Sequence, residues 1–393
     1  MKKTLLATAI AGALGASSFA AQAATVYNQD GTQFDIYGNL QLAYRSIETA
    51  QDDGSVDSED DIFDNGSTIG FAGQHEINSG LTGYFKYELE ADADEIKGEE
   101  NDFTGGGGGI NTGDQAYFGL KGNFGDARVG SWDALIDDWV QDPISNNEYF
   151  DVTDSNGLAG GDDGVNTQTG NDREGDKIQY MSPSFGGLQF AVGTQYKGEA
   201  EAENVDSSGN ASFFGGVKYT VGAFSVAAVY DNLDNYDGEI TGNQYYVDTN
   251  GNGEFDEGTD TLAGEDFEAG DQYGVTFQYT MESLRLALKY ERYESGNTDL
   301  QSDENRYALG ARYGYGMGDI YAAYQYVDVG GSDLVDTIGD DAEIGDNDDS
   351  RNEIILGASY NISSAMYTFV EAAWYDNDED VGDGIAVGAV YSF

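Results

Sequence analysis

Apolar and polar residues alternate with a period of two along most of this chain. Leu284, Leu286, Leu288 and Tyr290 interleave with Arg285, Ala287, Lys289 and Glu291. Tyr307, Leu309, Ala311 and Tyr313 do the same with Arg306, Ala308, Gly310 and Arg312. Near the front, Phe34, Ile36, Leu40, Leu42 and Tyr44 alternate with Asp35, Asn39, Gln41 and Arg45. A strand points successive side chains to opposite faces, so this pattern gives one apolar face and one wet face; a helix would repeat every 3.6 residues instead. About sixteen such segments can be marked, at 33–46, 67–77, 81–93, 112–122, 126–134, 173–182, 188–198, 210–220, 223–232, 271–281, 284–294, 305–315, 319–329, 351–361, 365–376 and 383–393. Most run to roughly 9–12 residues, the length a tilted strand needs to cross a bilayer.

The connections alternate in length. Asn78-Ser79-Gly80, Gly122 to Gly125, Pro183 to Gly187, Thr220 to Gly222 and Gly316 to Gly318 read as tight turns. Between them stand long acidic stretches at 47–66, 135–172, 233–270 and 330–350. Short turns at one rim and long loops at the other are the layout of an outer-membrane barrel. A soluble sandwich or solenoid also alternates, but it has no use for tyrosines gathered at segment ends, such as Tyr290, Tyr293, Tyr313, Tyr315, Tyr324 and Tyr326. Aromatic girdles at two membrane interfaces do.

Both ends of the chain add to this picture. Lys2 and Lys3 precede an apolar run from Leu5 to Leu14, followed by Ala21-Gln22-Ala23. That is the pattern of a cleaved secretory signal, so residues 1–23 are assigned as signal peptide and 24–393 as one barrel domain. Past residue 23 no apolar run approaches the ~18–20 residues of a spanning helix. The net charge of −56 becomes −58 on cleavage, because two lysines and no acids are removed. Cys is absent, which excludes a disulfide framework, thiolate metal sites and a thiol nucleophile. The acidity also argues against a nucleic-acid partner. With so few lysines, it suggests a salt-loving host.

At this level of detail the sequence resembles the trimeric general porins of Gram-negative bacteria, over nearly the whole mature chain. The opening Ala24-Thr25-Val26-Tyr27-Asn28-Gln29-Asp30-Gly31 with Phe34-Asp35-Ile36-Tyr37-Gly38 is similar to the mature start of enterobacterial members. So is Gly70-Phe71-Ala72-Gly73 leading into Glu76-Ile77-Asn78-Ser79-Gly80-Leu81-Thr82-Gly83-Tyr84. Tyr117-Phe118-Gly119-Leu120-Lys121 also resembles the family, and Ile178 to Leu188 is closer to neisserial-type members. The resemblance implies a sixteen-stranded antiparallel transmembrane β-barrel, a homotrimer in outer-membrane lipid, and a third loop folded into the lumen. It also implies that the terminal Phe393 is read by the barrel-assembly machinery. The loop's acids match Asp138 and Asp142, although Asp142-Pro143-Ile144 stands where the family has a Pro-Glu-Phe-Gly-Gly tip. The three basic wall positions align with Thr68, Asp114 and Arg173, so two of the three are not basic here, which favours cations.

The expected function is therefore a water-filled channel for small hydrophilic solutes and cations, and not an enzyme. Of the basic residues left after cleavage, all but Lys97 fall in the segments above. Alternation points Arg45, Lys86, Arg173, Lys177, Arg285, Lys289, Arg306 and Arg312 inward, either as a hydrogen-bonded lattice that stiffens the wall or as a ladder that sets ion selectivity. Acidic blocks such as Asp57-Ser58-Glu59-Asp60-Asp61 are either plain solvated loop or a mouth that focuses cations. The rivals are a substrate-specific channel, which calls for an aromatic slide along the lumen, and a closed structural or adhesive barrel. Most tyrosines fall at the outward parity, which counts against the slide. The lone His75 sits at the apolar parity beside a short turn, without the arrangement a hydrolase needs. Gly105 to Gly109 lacks the Lys-Ser/Thr of a phosphate loop.

One stretch carries separate chemistry. Asp248, Asn250, Asn252, Glu254 and Asp256 place oxygen ligands at alternate positions, with Gly253 at the turn, as in the first half of a calcium loop. The closing position is Thr259, with Asp260 one step beyond, so an acidic turn-rich loop is the other reading. Calorimetric titration separates them: binding heat marks a calcium site, and its absence marks the plain loop.

Overall fold

The computed structural model describes residues 23–50, 55–90, 93–94, 115–144, 147–154, 175–196, 205–207, 211–236, 238–240, 246–247, 261–262, 268–296, 303–330, 334–335, 350–376 and 380–393. Residues 1–22, most of 91–114 and the proposed calcium ligands at 248–256 lie outside that set.

The alternating segments form one antiparallel sheet that closes on itself. Its first part comprises β1 (Ala24–Gln29), β2 (Thr32–Ala50), β3 (Val56–Asp64), β4 (Thr68–Asn78), β5 (Leu81–Glu90), β6 (Ala116–Gly122), β7 (Gly125–Ser131), β8 (Lys177–Met181) and β9 (Leu188–Tyr196). The second comprises β10 (Ala211–Val221), β11 (Phe224–Asn232), β12 (Asp271–Met281), β13 (Leu284–Glu294), β14 (Glu304–Gly314), β15 (Asp319–Val329), β16 (Arg351–Asn361), β17 (Met366–Tyr375) and β18 (Gly384–Ser392). From β4 to β18 each pairs with the next, and β18 pairs back onto β2 to close the ring. These 18 segments fill sixteen positions. β3 and β4 pair with the two halves of β2, at Leu42–Ala50 and Thr32–Asn39, and so share one position. β1 and β18 share the other side of β2 in the same way, at Thr32–Ile36 and Asn39–Ile47. The last residue completes the seam: the Gly38 amide donates to the Phe393 carbonyl at 3.1 Å, and the Phe393 amide donates to the Gly38 carbonyl at 3.0 Å. A closed ladder leaves no strand edge unpaired, which is what a sheet in hydrocarbon requires.

The two faces separate as the alternation predicts. Leu40, Leu42, Leu286, Leu288, Leu309, Leu356 and Val387 stand exposed on the outside. An apolar belt of this extent on every side is incompatible with water and suits lipid. On the inside of β2 and of β13 to β18 the matching positions are small: Ala43, Ala287, Ala308, Ala323, Ala373 and Ala386 are all buried. Glycines serve the same wall. A Cβ on Gly357 would lie 2.1 Å from the ring of Tyr321, and one on Gly388 would lie 2.4 Å from that of Phe369. Inward rings thus lie flat across glycines of the neighbouring strand.

One expectation needs correction. The stretch 47–66 was expected to be a long acidic loop, yet β2 runs on to Ala50 and β3 occupies Val56–Asp64, with nine cross-strand pairs from Leu42↔Asp64 to Ala50↔Val56. Acid-rich composition obscures the strand because both of its faces are wet there, so no apolar row is needed. What remains legible is the alternation of Ile47 with Glu48.

Gly357→Val should push the Tyr321 ring aside and destabilise the barrel by about 1–3 kcal/mol, the usual cost of overpacking. The heat-dependent shift in gel mobility should then fall to lower temperature; an unchanged transition would show the ring is free to move.

Candidate pore constriction

The long connection between β7 and β8 (L3 below) folds into the barrel. It enters at Trp132, makes a short helical turn that includes Asp137–Gln141, and its described return leg spans Asn147–Asp154. The Asp137 carboxylate accepts from the Ala134 amide at 3.1 Å, which sets the turn's start. Ala134, Leu135, Ile136, Trp139 and Val140 bury against Ala191, Phe214, Ala227 and Val229 of the wall. Glycines on three strands admit the loop backbone closely: a Cβ on Gly274 would lie 2.7 Å from Val140, one on Gly216 3.0 Å from Trp139, and one on Gly310 3.1 Å from the Ile144 carbonyl. Farther round, Ile144, Phe150 and Val152 rest on the alanine floor of β2 and β13 to β18. Burying several large apolar side chains, at about 1.5–3 kcal/mol each, gives L3 a fixed seat.

Three buried glutamates on the wall tether it. Glu371, 1% exposed, accepts from the amides of Glu148 (2.7 Å), Tyr149 (2.7 Å) and Phe150 (3.0 Å), and from the Tyr321 hydroxyl at 2.5 Å. Glu353 accepts from the amide of Thr153 at 2.8 Å and its hydroxyl at 2.5 Å, and from Gln325 and Arg351 at 2.9 and 3.0 Å. Glu291 accepts from Gln141 at 2.7 Å and Gln272 at 3.0 Å, and pairs with Lys289 at 2.9 Å. Backbone amides and cations around a carboxylate offset the cost of burying it.

The inward bases stand as alternation predicts: among the described lysines and arginines, Arg292 alone takes the outward parity. They divide by partner. Lys86, Lys289, Arg306, Arg312 and Arg351 pair with Glu88, Glu291, Glu304, Asp319 and Glu353 at 2.9, 2.9, 2.6, 3.4 and 3.0 Å. Others lie over aromatic rings. Arg45 stacks on Phe63 at 4.7 Å and donates to the Tyr149 hydroxyl of L3 at 2.8 Å. Lys177 lies over Trp132 at 4.9 Å and donates to its carbonyl, and Arg128 lies over the same ring at 4.2 Å. Lys218 lies over Trp139 at 5.5 Å. Arg285 lies near enough to Asp142 for the two charges to act on each other. Thr68 faces inward as the register partner of Asn39, and its hydroxyl donates to the Gly66 carbonyl at 3.2 Å. Asp114 and Arg173 lie outside the described residues.

Asp138 and Asp142 both sit on the inserted turn of L3. Protein packed around Asp138 raises it to about 6; Asp133 adds to the rise, and Arg128, Lys218 and Lys177 oppose it. Crowding likewise lifts Asp142 to about 7, with Asp138, Asp133 and Asp154 adding and Arg285 opposing, although its own surface stays open. His75 is exposed, its Nδ1 2.7 Å from the Thr32 hydroxyl at the short-turn rim. Alternation places Glu291 on the wet face, but nothing in the composition marks it, Glu353 or Glu371 as a tether. Their one signal was an acid at inward parity amid apolar neighbours, as in Val370-Glu371-Ala372.

A family model of Gram-negative porins matches residues 7–380. The chain belongs to the Gram-negative porin family. A monosaccharide porin of a Halomonas species and the major outer membrane protein of Halomonas elongata are each 55% identical to it over 402 residues, covering 100% of both chains. Among solved structures, Salmonella typhi OmpF in complex with daunomycin shares the fold at a TM-score of 0.63 and 22% identity, covering 94% of this chain and 100% of that one. An anion-selective porin from Comamonas acidovorans does so at 0.62 and 18%, covering 92% and 100%. This porin is thus an outer-membrane channel protein crossing the bilayer as a closed barrel.

Glu371→Ala would leave three loop amides and a tyrosine hydroxyl without their acceptor, at about 1–3 kcal/mol each if they stay buried. The return leg of L3 should loosen while the barrel persists, seen as greater open-channel current noise and new protease cleavage within 147–154. Unaltered noise and protection would mean that other contacts suffice.

Proposed function

We propose that this porin is a passive diffusion pore for small hydrophilic solutes and ions, narrowed by L3 and cation-preferring, and that it works as a homotrimer. The observation that carries the reading is the division of charge. The inward bases are answered by carboxylates or laid on rings, whereas the inserted turn of L3 carries Asp138 and Asp142, the second with an open surface. The connections 233–270 and 330–350 contain no lysine or arginine at all, so the approach to the mouth is acidic as well. One sign of charge along a path raises the local concentration of the opposite ion.

Support for the trimer comes from the outer surface. Phe34, Phe71 and Phe85 form an outward aromatic patch on β2, β4 and β5, with ring centroids 6.2 Å and 6.4 Å from Phe34, a surface suited to a second copy. Recognition by the assembly machinery fits a last residue that also completes the seam. The name of the 55% identical monosaccharide porin favours neutral sugars among the permeant solutes.

Reconstituted protein in a KCl gradient should show large ohmic steps and a reversal potential of cation-selective sign. The preference should fade near 1 M salt, where the screening length is about 3 Å. It should also weaken as pH falls from about 8 to 5, because Asp142 and then Asp138 take up protons through about 7 and about 6 and lose negative charge. Asp142→Asn should reproduce the low-pH selectivity at neutral pH. An anion-selective sign would overturn the cation preference, and absence of conductance would overturn the pore.

A further inference from the structure

The contacts of L3 are one-sided. Beyond its root at Trp132 and Asp133, the described contacts of the loop fall on β8 to β18, on β2 and on β3, and among the described residues none falls on the inner faces of β5, β6 or β7. That stretch of wall carries a connected row of rings. Tyr84 of β5 meets Tyr117 of β6 edge-to-face at 6.2 Å, and Tyr117 meets Trp132 in the same way at 5.7 Å. By strand register the contacts climb from near the short-turn rim at Tyr84 toward the long-loop side at Trp132. Cations interleave with the rings. Lys121 lies over Tyr84 at 5.0 Å, and Arg128 lies over Tyr117 at 5.2 Å and over Trp132 at 4.2 Å. Neither Lys121 nor Arg128 has a carboxylate within salt-bridge range among the described residues. Across from them Asp138 of L3 is near enough for Arg128 to act on its charge.

From this arrangement we propose that Tyr84, Tyr117 and Arg128 form a binding stripe for neutral sugar rings, on which a monosaccharide docks as it crosses. The assignment rests on the reading of the barrel as an open pore and adds to it a place where one solute class is held. The chemistry of the stripe selects that class. A pyranose presents an apolar face of C–H groups and an equatorial rim of hydroxyls. The apolar face fits against tyrosine rings, whose faces are partially negative. The rim finds donors in Arg128 and Lys121 and acceptors in Asp138 and in Asp126, which already accepts from the Tyr84 hydroxyl at 2.5 Å. Few, placed polar groups around an apolar lining are what a small-molecule site consists of. A hydrated inorganic ion gains nothing from the ring faces, and a purely apolar solute would have to desolvate the charges beside them.

The test is current block in planar bilayers, with D-glucose as the probe and sorbitol as its open-chain counterpart of the same carbon number. Wild-type channels should lose conductance saturably with glucose, and with sorbitol only in proportion to viscosity. Tyr117→Leu should raise the half-saturating glucose concentration about fivefold or more, a change of about 1 kcal/mol, while Tyr117→Phe should keep the block because the ring remains. Should Tyr117→Leu fail to insert, the contrast between glucose and sorbitol on the unaltered protein decides the matter alone. Ohmic channels that glucose and sorbitol affect alike, or block unchanged by Tyr117→Leu, would overturn the stripe and leave the pore standing. Wild-type protein without ohmic steps would overturn the pore, and the stripe with it.

Discussion

A closed sheet of this size encloses more space than its own side chains can fill. Closure itself is forced by the solvent: every backbone amide and carbonyl at membrane depth must find a partner inside the protein, and a ring of ladders provides one. The void is the consequence, and the placement of L3 answers it. The chain sets a row of inward alanines along β13 to β18, seats Ile144, Phe150 and Val152 on that floor, and secures the loop with Glu291, Glu353 and Glu371. The wall is therefore two walls. One is covered by L3 and carries most of the paired charges; the other, on β5 to β7, meets none of the loop's described contacts beyond its root and carries a row of rings with Lys121 and Arg128 laid on them.

The strands were legible because period two is imposed by lipid on one side and water on the other. The turns were legible because Gly and Pro mark where the chain must reverse. At Gly80, Gly187 and Gly316 the φ angles of +98°, +98° and +95° confirm why glycine stands there. Legibility ended where that two-solvent contrast ended. β3 rises into surroundings wet on both faces, so its acids read as loop. L3 gave only its place and its acids, since its seat depends on contacts between residues such as Tyr149 and Glu371, more than 200 positions apart. The parity of the tyrosines was right for most of them. The minority that turn inward, Tyr84 and Tyr117 among them, became significant only when the register set them side by side. The inward parity of the bases was readable, but their division between carboxylates and rings was not.

That division bears on how the wall behaves in salt. Pairs such as Lys289 with Glu291, both wholly buried, are shielded from mobile ions, whereas partly exposed pairs such as Arg312 with Asp319 feel them. A cation on a ring face combines electrostatic attraction with contact area, and the contact is insensitive to ionic strength. Arg45 between Phe63 and Tyr149, and Arg128 on Trp132, thus hold position where a surface salt bridge would be weakened.

The two hydrogen bonds between Gly38 and Phe393 have a further meaning for biogenesis. They join β2 to a residue 355 positions later, so the cylinder closes only when segments far apart along the polypeptide meet. Removing Phe393 removes both bonds and leaves the seam frayed at that end. Phe393 is thereby a structural requirement for closure of the ring.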